Sequence, residues 1–205
     1  MAEKVKVGLQ LYTLRDEGAK DFLGMLEGVK RLGYDAVEFA GFGGYGAEEL
    51  KRICADLGLD IVSTHYGLDN FENSIDDSVA FNKALGVKYV AIPWMAADRG
   101  PGSEAYENGT RELIAKAAAA LKENGMQLLY HNHDFEFVRM PNGEYGYDVM
   151  FENIAPEALK PELDTCWCDV ATGKPAEFIK KYTDRIPVVH LKDYIKIGEV
   201  KNMYK

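Results

Sequence analysis

The chain has 205 residues, of which 47% are hydrophobic, and this length provides one substantial core with little room for a second. Acidic residues outnumber basic ones by 33 to 24, for a formal net charge of −9. This balance argues against a nucleic-acid partner, because phosphate backbones are bound by clustered Lys and Arg. No apolar stretch approaches the roughly 20 residues that span a bilayer, so no membrane partner is expected.

One unit repeats along the chain: an amphipathic helix ends in Leu-Gly or Asn-Gly, and an apolar strand begins one or two residues later. Glycine just past a helix adopts a left-handed C-cap without a Cβ clash, so Gly33, Gly58, Gly86 and Gly125 mark helix-to-strand joints. Apolar strands separated by helices indicate parallel pairing. The predicted strands cover residues 5–12, 35–40, 60–65, 88–93, 126–132, 161–165 and 186–191, and the predicted helices cover 19–32, 46–57, 74–85, 103–124 and 174–182.

After the fifth strand, PNGEYGYD is typical of an Asn-Gly hairpin turn, and with a helical turn over residues 151–158 it replaces a regular fifth helix. Seven units of this kind favour a (β/α)8 TIM barrel, formed as a single domain over residues 1–205. The alternative is a Rossmann-like open sheet, but LYTLRDEGAK after the first strand lacks the G-x-G-x-x-G phosphate turn of that fold.

A complete barrel of this class usually needs about 250 residues. We therefore expect a barrel truncated after the seventh strand, either a shortened form of a longer protein or one that another polypeptide completes. Such a barrel has two open strand edges, which would allow a homo-oligomer to form.

All four histidines fall at the predicted downstream ends of strands: His65, His131, His133 and His190, with Asp164 at the end of the sixth strand. Barrels of this class carry their chemistry at the carboxyl ends of the strands. Because strand side chains alternate, His131 and His133 share one face. Mixed imidazole and carboxylate ligands suit Zn, Mn, Fe or Co better than Ca or Mg. The alternatives are a structural, hydrogen-bonded role for a single histidine and a capping role for Asp164.

Other polar and aromatic residues lie at the same level of the predicted barrel. Glu38 follows two apolar residues in AVEF, and a buried carboxylate needs a partner, which is either Arg15 or a polyhydroxyl substrate. Lys192 is a candidate for stabilising an enediolate or binding a phosphate or carboxylate group, with a surface ion pair as the alternative. Trp94 and Trp167 could stack on a sugar ring or pack in the core.

The three cysteines are odd in number, and Cys166 and Cys168 lie too close together for an ordinary disulfide framework. Their spacing is not that of a zinc ribbon. They are therefore expected to be reduced thiols in a cytoplasmic protein.

Three segments carry a resemblance to a known family: VGLQLYTLRDE, YHNHDFEF, and LDTCW followed by EFIKKYTDRIPVVHLKD. They resemble the xylose isomerase-like TIM barrel superfamily, specifically its sugar phosphate isomerase/epimerase branch. The resemblance runs through essentially the whole chain. It implies a divalent metal, with Mn, Co or Zn preferred and Mg as a further candidate, held by residues that close strands five to eight. The first three positions correspond to His131, Asp164 and His190, and the acidic residue of strand eight is absent.

This resemblance implies metal-assisted isomerisation or epimerisation of a sugar or sugar phosphate through an enediolate. The strand-five position is commonly Glu in the superfamily, where in the epimerases it is also one of two acid/base carboxylates. His131 at this position leaves the reaction open. The candidates for proton transfer or substrate orientation are His133, Lys192 and Glu38, and the candidates for substrate binding are His65, Trp94 and Trp167.

Three alternatives to the isomerase or epimerase remain. The same enediolate chemistry would serve a lyase or dehydratase acting on a related polyol. A non-catalytic incomplete barrel is a serious competitor, since a missing ligand weakens metal affinity. A metal-dependent phosphodiester hydrolase is less favoured, because it needs a basic groove and more ligands than four histidines supply.

Overall fold

The computed structural model describes residues 5–197 and 200–202 and contains a parallel sheet with helices between its strands. The seven strands are β1 (Gly8–Gln10), β2 (Ala36–Phe39), β3 (Asp60–His65), β4 (Tyr89–Ile92), β5 (Gln127–His131), β6 (Leu159–Asp164) and β7 (Val188–His190). The α-helices are α1 (Arg15–Gly18), α2 (Phe22–Arg31), α3 (Ala47–Leu57), α4 (Leu68–Asn73), α5 (Ile75–Leu85), α6 (Arg111–Glu123), α7 (Gly146–Asn153), α8 (Thr165–Thr172) and α9 (Pro175–Lys181).

The strands lie side by side in chain order from β1 to β7, and every neighbouring pair is parallel. Strands in sequential order joined by helices form the curled half-barrel of a (β/α) TIM barrel, so the predicted fold class is confirmed. In the described part of the chain, β1 and β7 pair with each other neither directly nor through an eighth strand. The sheet is therefore open there. None of the helices within these ranges is both long and apolar enough to cross a membrane.

The two faces of the strands differ in character because side chains alternate along each strand. Val37 and Phe39 of β2, and Leu128 and Tyr130 of β5, point outward and share one hydrophobic core with the helices. The alternate positions of the same strands point inward and include Glu38 and the last residue of β5. Polar groups are thus gathered inside the curve of the sheet, while apolar groups attach the helices outside it.

The four glycine joints adopt the predicted left-handed conformation. Gly58 and Gly86 are the C-caps of α3 and α5, with φ of 67° and 84°. Gly33 and Gly125 precede β2 and β5 with φ of 90° and 76°. A side chain with a Cβ rarely adopts these angles, so the glycines end each helix where the next strand must begin.

Several elements differ from the sequence predictions. Helix α8 starts directly after β6, where no helix was predicted. The predicted hairpin after β5 is reduced to one antiparallel bridge between Arg139 and Tyr145, and the helix that follows it, α7, begins earlier than the predicted turn. The predicted helix over 103–124 begins with a π-helical turn, Tyr106–Thr110.

The chain after β7 forms a short antiparallel hairpin of β8 (Ile195–Ile197) and β9 (Val200–Asn202). The sequence did not predict these strands. The expected truncation concerns the segment IGEVKNMYK, of which residues 198–199 and 203–205 lie outside the described residues, as do residues 1–4.

Candidate functional site

Four side chains from four strands converge inside the curve of the sheet, at the carboxyl ends of the strands. His65 closes β3, His131 closes β5, His190 closes β7, and Glu162 lies two residues before the end of β6. One nitrogen or oxygen of each lies within 4.8 Å of those of the other three. The sheet register explains the convergence, because parallel pairing sets His131 opposite Glu162.

Glu38 of β2 extends this group. Its Oε1 atom lies 2.9 Å from Nε2 of His65 and 2.9 Å from Nε2 of His190. Its other oxygen accepts a hydrogen bond from the Ser63 hydroxyl, a neighbour in the sheet. Glu162 Oε2 lies 2.8 Å from His65 Nε2 and 3.4 Å from His131 Nδ1. Two carboxylates and three imidazoles therefore share one buried site.

The charges in this site shift one another's protonation. Burial alone would lower the pKa of His65, but the carboxylates of Glu38 and Glu162 raise that pKa to about 10. Burial likewise opposes the charge on His190, and the same two carboxylates raise its pKa. The pKa of His131 is held well below its usual value, first by burial and then by the neighbouring His65 and His190. His131 is therefore neutral at pH 7, with a lone pair available.

The pKa values of the two glutamates shift in opposite directions. Burial favours the neutral form of Glu38, yet His65 and His190 hold the pKa of its carboxyl group well below the usual range. Burial raises the pKa of Glu162, and the negative charge of Glu38 raises it further. Two carboxylates sharing a buried site repel each other, and a cation between them relieves that repulsion.

The donor set fits a divalent transition metal. Among the described residues, Nδ1 of His131 and Oε1 of Glu162 make no hydrogen bond of good geometry, although both are buried. An unpartnered buried polar atom costs free energy, which a coordinated cation would recover. Imidazole nitrogens with carboxylate oxygens suit Zn, Mn or Co, the ions that the sequence favours.

Asp164, the predicted strand-six ligand, has a different contact. Its Oδ1 accepts a 2.9 Å hydrogen bond from the backbone N–H of Trp167 and so caps the N-terminus of α8. Its backbone N–H and C=O are both bound by the buried side chain of Asn132. The structure thus brings His131 and His190 together with Glu162 rather than with the Asp164 carboxylate. A ligand role for Asp164 stays a prediction.

His133 lies beside the cluster, on the loop after β5. Its ring centroid is 5.1 Å from that of His131 and 5.2 Å from that of Trp167, and it stacks on Phe135 at 5.3 Å. Lys192 places its Nζ 4.5 Å from the Trp167 ring centroid. Burial, followed by the positive charge of Lys192, lowers the pKa of His133 to about 4. These four residues form an aromatic and cationic wall next to the candidate metal ligands.

A buried glutamate fixes the loop that carries His133. Glu136 accepts a 2.8 Å hydrogen bond from the Tyr130 hydroxyl through Oε1 and another of 2.8 Å from the His133 backbone N–H through Oε2. Burial raises the pKa of Glu136 to about 7. The loop geometry therefore depends on a carboxyl group that changes charge near neutral pH.

The remaining candidates occupy less central positions. Trp167 is only 8% exposed and packs against Cys166 and the partly buried Val170, whereas Trp94 is 56% exposed. Arg15 donates to the Tyr12 carbonyl and lies over the Tyr12 ring, so the predicted salt bridge from Glu38 to Arg15 is wrong. Glu38 instead contacts His65, His190 and Ser63, because the curve of the sheet brings β3 and β7 toward it.

Sequence reasoning missed Glu162. It precedes Asp164 by two positions, so strand alternation places both on the inward face. That spacing in PELD was the available signal. Because Asp164 matched the expected pattern at the end of the strand, the acidic residue one layer deeper was overlooked.

Solved structures resemble the chain over nearly its full length. Two sugar phosphate isomerase/epimerase structures from Parabacteroides distasonis ATCC 8503 have TM-scores of 0.79 and 0.78, with 23% and 26% sequence identity. The comparisons cover 98% and 96% of this chain and 82% of each of those chains. An L-ribulose 3-epimerase structure has a TM-score of 0.72 at 16% identity, over 96% of this chain and 74% of the other. No curated protein matches the chain.

A family model described as the xylose isomerase-like TIM barrel matches residues 26–201. The match covers most of the sequence, including every strand that carries a candidate ligand. The chain belongs to the xylose isomerase-like TIM barrel family.

Proposed function

We propose that the protein is a divalent-metal-dependent isomerase or epimerase that acts on a sugar or sugar phosphate through an enediolate. One observation carries the proposal: three histidines and a glutamate converge within 4.8 Å at the carboxyl ends of the strands. The carboxyl ends are where barrels of this class carry out chemistry. Structural neighbours named sugar phosphate isomerase/epimerase and L-ribulose 3-epimerase support the substrate class.

The metal would be held by His131, His190 and Glu162, with Glu38 next to them. His131 is neutral, and neither its Nδ1 nor Oε1 of Glu162 has a hydrogen-bond partner among the described residues. When bound, a divalent cation supplies Lewis-acid stabilisation of the negative charge that develops on the carbonyl and hydroxyl oxygens of the substrate. Asp164, predicted from the family resemblance, would be a further ligand.

His133 is our first candidate for proton transfer. With a pKa of about 4 its ring is neutral near pH 7, and its Nδ1 has no hydrogen-bond partner in the described part of the chain. A neutral imidazole beside the metal site can accept a proton from the substrate carbon. Lys192, over Trp167, would hold a phosphate or enediolate oxygen, while Glu38 orients His65 and His190.

The direct test is exchange of a substrate proton with solvent. The purified protein, loaded with Mn²⁺, Co²⁺ or Zn²⁺, is incubated in D₂O with a panel of ketoses and ketose phosphates, and deuterium incorporation next to the carbonyl is followed by NMR. An enediolate mechanism exchanges that proton even where the product is unidentified. We expect metal-dependent exchange that a chelator abolishes.

Matched variants locate the activity. Glu162→Gln should abolish exchange, whereas Glu112→Gln, which removes the same charge from an exposed position on α6, should not change it. His133→Gln should retain the metal and lose exchange. Stoichiometric metal without exchange on any substrate would contradict the isomerase proposal and favour a non-catalytic metal-binding barrel. A cytoplasmic location and a homo-oligomer stay predictions.

A further inference from the structure

A threonine hydroxyl joins the two strands that carry Glu162 and His190. Thr165, the first residue of α8, directly follows β6, and its Oγ1 atom donates a 3.0 Å hydrogen bond to the backbone carbonyl of His190. That carbonyl belongs to the last residue of β7, whose side chain is a candidate metal ligand. The bond therefore adds a lateral tie just beyond the last ladder pair of the two strands, Asp164 with His190.

The hydroxyl of Thr165 is available for this bond because another side chain caps the helix. A Ser or Thr at the start of a helix commonly uses its oxygen to accept from the backbone N–H groups of that helix. Here Oδ1 of Asp164 accepts the N–H of Trp167 and fills that role. Asp164 is in turn held at its backbone by the side chain of Asn132, the residue after His131. Thr165 therefore extends from a fixed position at the end of β6.

The strand that receives this bond has few other contacts to hold it. β7 contains three residues, against five in β5 and six in β6, and it makes three ladder pairs with β6. Within the described residues, no strand pairs with its other side. Val189 is 40% exposed and Leu191, directly after the strand, is 86% exposed, so little packing covers this segment. The backbone of His190 therefore depends on its lateral bonds to the β6 side.

We propose that Thr165 is a positioning residue of the metal site, which holds the end of β7 so that His190 keeps its place beside Glu162 before a cation binds. This inference rests on the proposed function. A ligand that is already in place loses little freedom when the metal arrives, and groups that orient ligands typically contribute about 10- to 100-fold to metal affinity. Thr165 acts through the backbone of His190 rather than through its imidazole ring or the cation.

Zinc binding measures this role. Thr165→Val replaces the hydroxyl by a methyl group of similar size, and calorimetry should report a zinc affinity about tenfold weaker. Thr165→Ser keeps the hydroxyl and should restore the affinity to within about twofold of wild type. The control is Ser78→Ala, which removes a 2.7 Å hydroxyl-to-carbonyl hydrogen bond in α5 and should leave the affinity unchanged. A wild-type affinity in Thr165→Val, or an equal loss in Thr165→Ser, would overturn the proposal.

A second measurement needs no metal. Without the tie, the end of β7 should open more often, so amide hydrogen exchange of β7, followed by mass spectrometry, should be about fivefold faster in Thr165→Val than in wild type. Exchange of β2, on the other side of the sheet, should not change. Wild-type exchange rates in β7, or an equal acceleration in β2, would overturn the proposal. Failure of the wild type to bind zinc would contradict the proposed function instead, and the exchange rates would still decide whether Thr165 holds β7.

Discussion

The buried carboxyl group of Glu136 should make the stability of the protein depend on pH. Its folded pKa of about 7 lies above the ordinary value of 4.5, because burial disfavours the charged form. The stabilising contribution of this group is therefore fully present below pH 4.5 and is lost as the pH rises through about 7. At about 1.4 kcal/mol for each pH unit, the interval corresponds to about 3 kcal/mol.

The Glu136→Gln substitution removes this titration. Its amide keeps one acceptor for Tyr130 or His133 and loses the other hydrogen bond, which costs about 1 kcal/mol at every pH. The free energy of unfolding of the wild type, minus that of the variant, should fall by about 3 kcal/mol between pH 4.5 and pH 7.5.

Urea denaturation, followed by circular dichroism across this pH range, measures the difference. Glu123→Gln, which removes a carboxyl group from an exposed position on α6, is the matched control variant. A wild-type-minus-Glu136→Gln difference that does not change with pH would refute the reasoning, because it would mean that Glu136 ionises as easily in the folded chain as in the unfolded one.

Three further predictions follow from the contacts of β5 and β6. Asn132→Ala removes two buried hydrogen bonds to the backbone of Asp164 and should lower the free energy of unfolding by about 2 kcal/mol in urea; a loss below about 0.5 kcal/mol would contradict this role. Asp164→Ala should cost about 1 kcal/mol through the lost cap at Trp167, whereas Asp164→Asn, itself a good N-cap, should change the same measurement by less than about 0.5 kcal/mol; equal losses would speak against the cap. Glu162→Gln keeps an acceptor for His65 but removes the charge that a cation needs, so calorimetry should report zinc affinity at least about tenfold weaker, and an unchanged affinity would remove Glu162 from the ligand set.

Local physics made much of the fold predictable. A helix that ends in a positive φ favours glycine at that position, because glycine has no Cβ. Gly58 and Gly86 therefore indicated where strands begin without knowledge of the rest of the chain. The apolar strands then implied a parallel sheet, and in a barrel of this class the site is expected at the carboxyl ends of the strands. His131 and His190 were found by this reasoning because each closes its strand.

The parts that the sequence did not reveal depend on contacts between distant segments. An aspartate at a strand end suits both a metal ligand and a helix cap, and only the helix that begins at Thr165 distinguishes the two uses of Asp164. Glu162 lies at an inward position, but its partners come from β3, β5 and β7. The contact between Gln10 and the His65 ring likewise forms only once the sheet has curled.

The open sides of β1 and β7 have a practical consequence for work in solution. Val5 and Val7 precede β1, Val189 lies in β7 and Leu191 follows it, and all four side chains are exposed. Bare backbone amides and carbonyls along these rims can hydrogen-bond to a strand from another molecule. We therefore treat protein concentration as an experimental variable, because any pairing of this kind would increase with concentration. Affinities, spectra and denaturation curves can be combined only when they are recorded at matched concentrations.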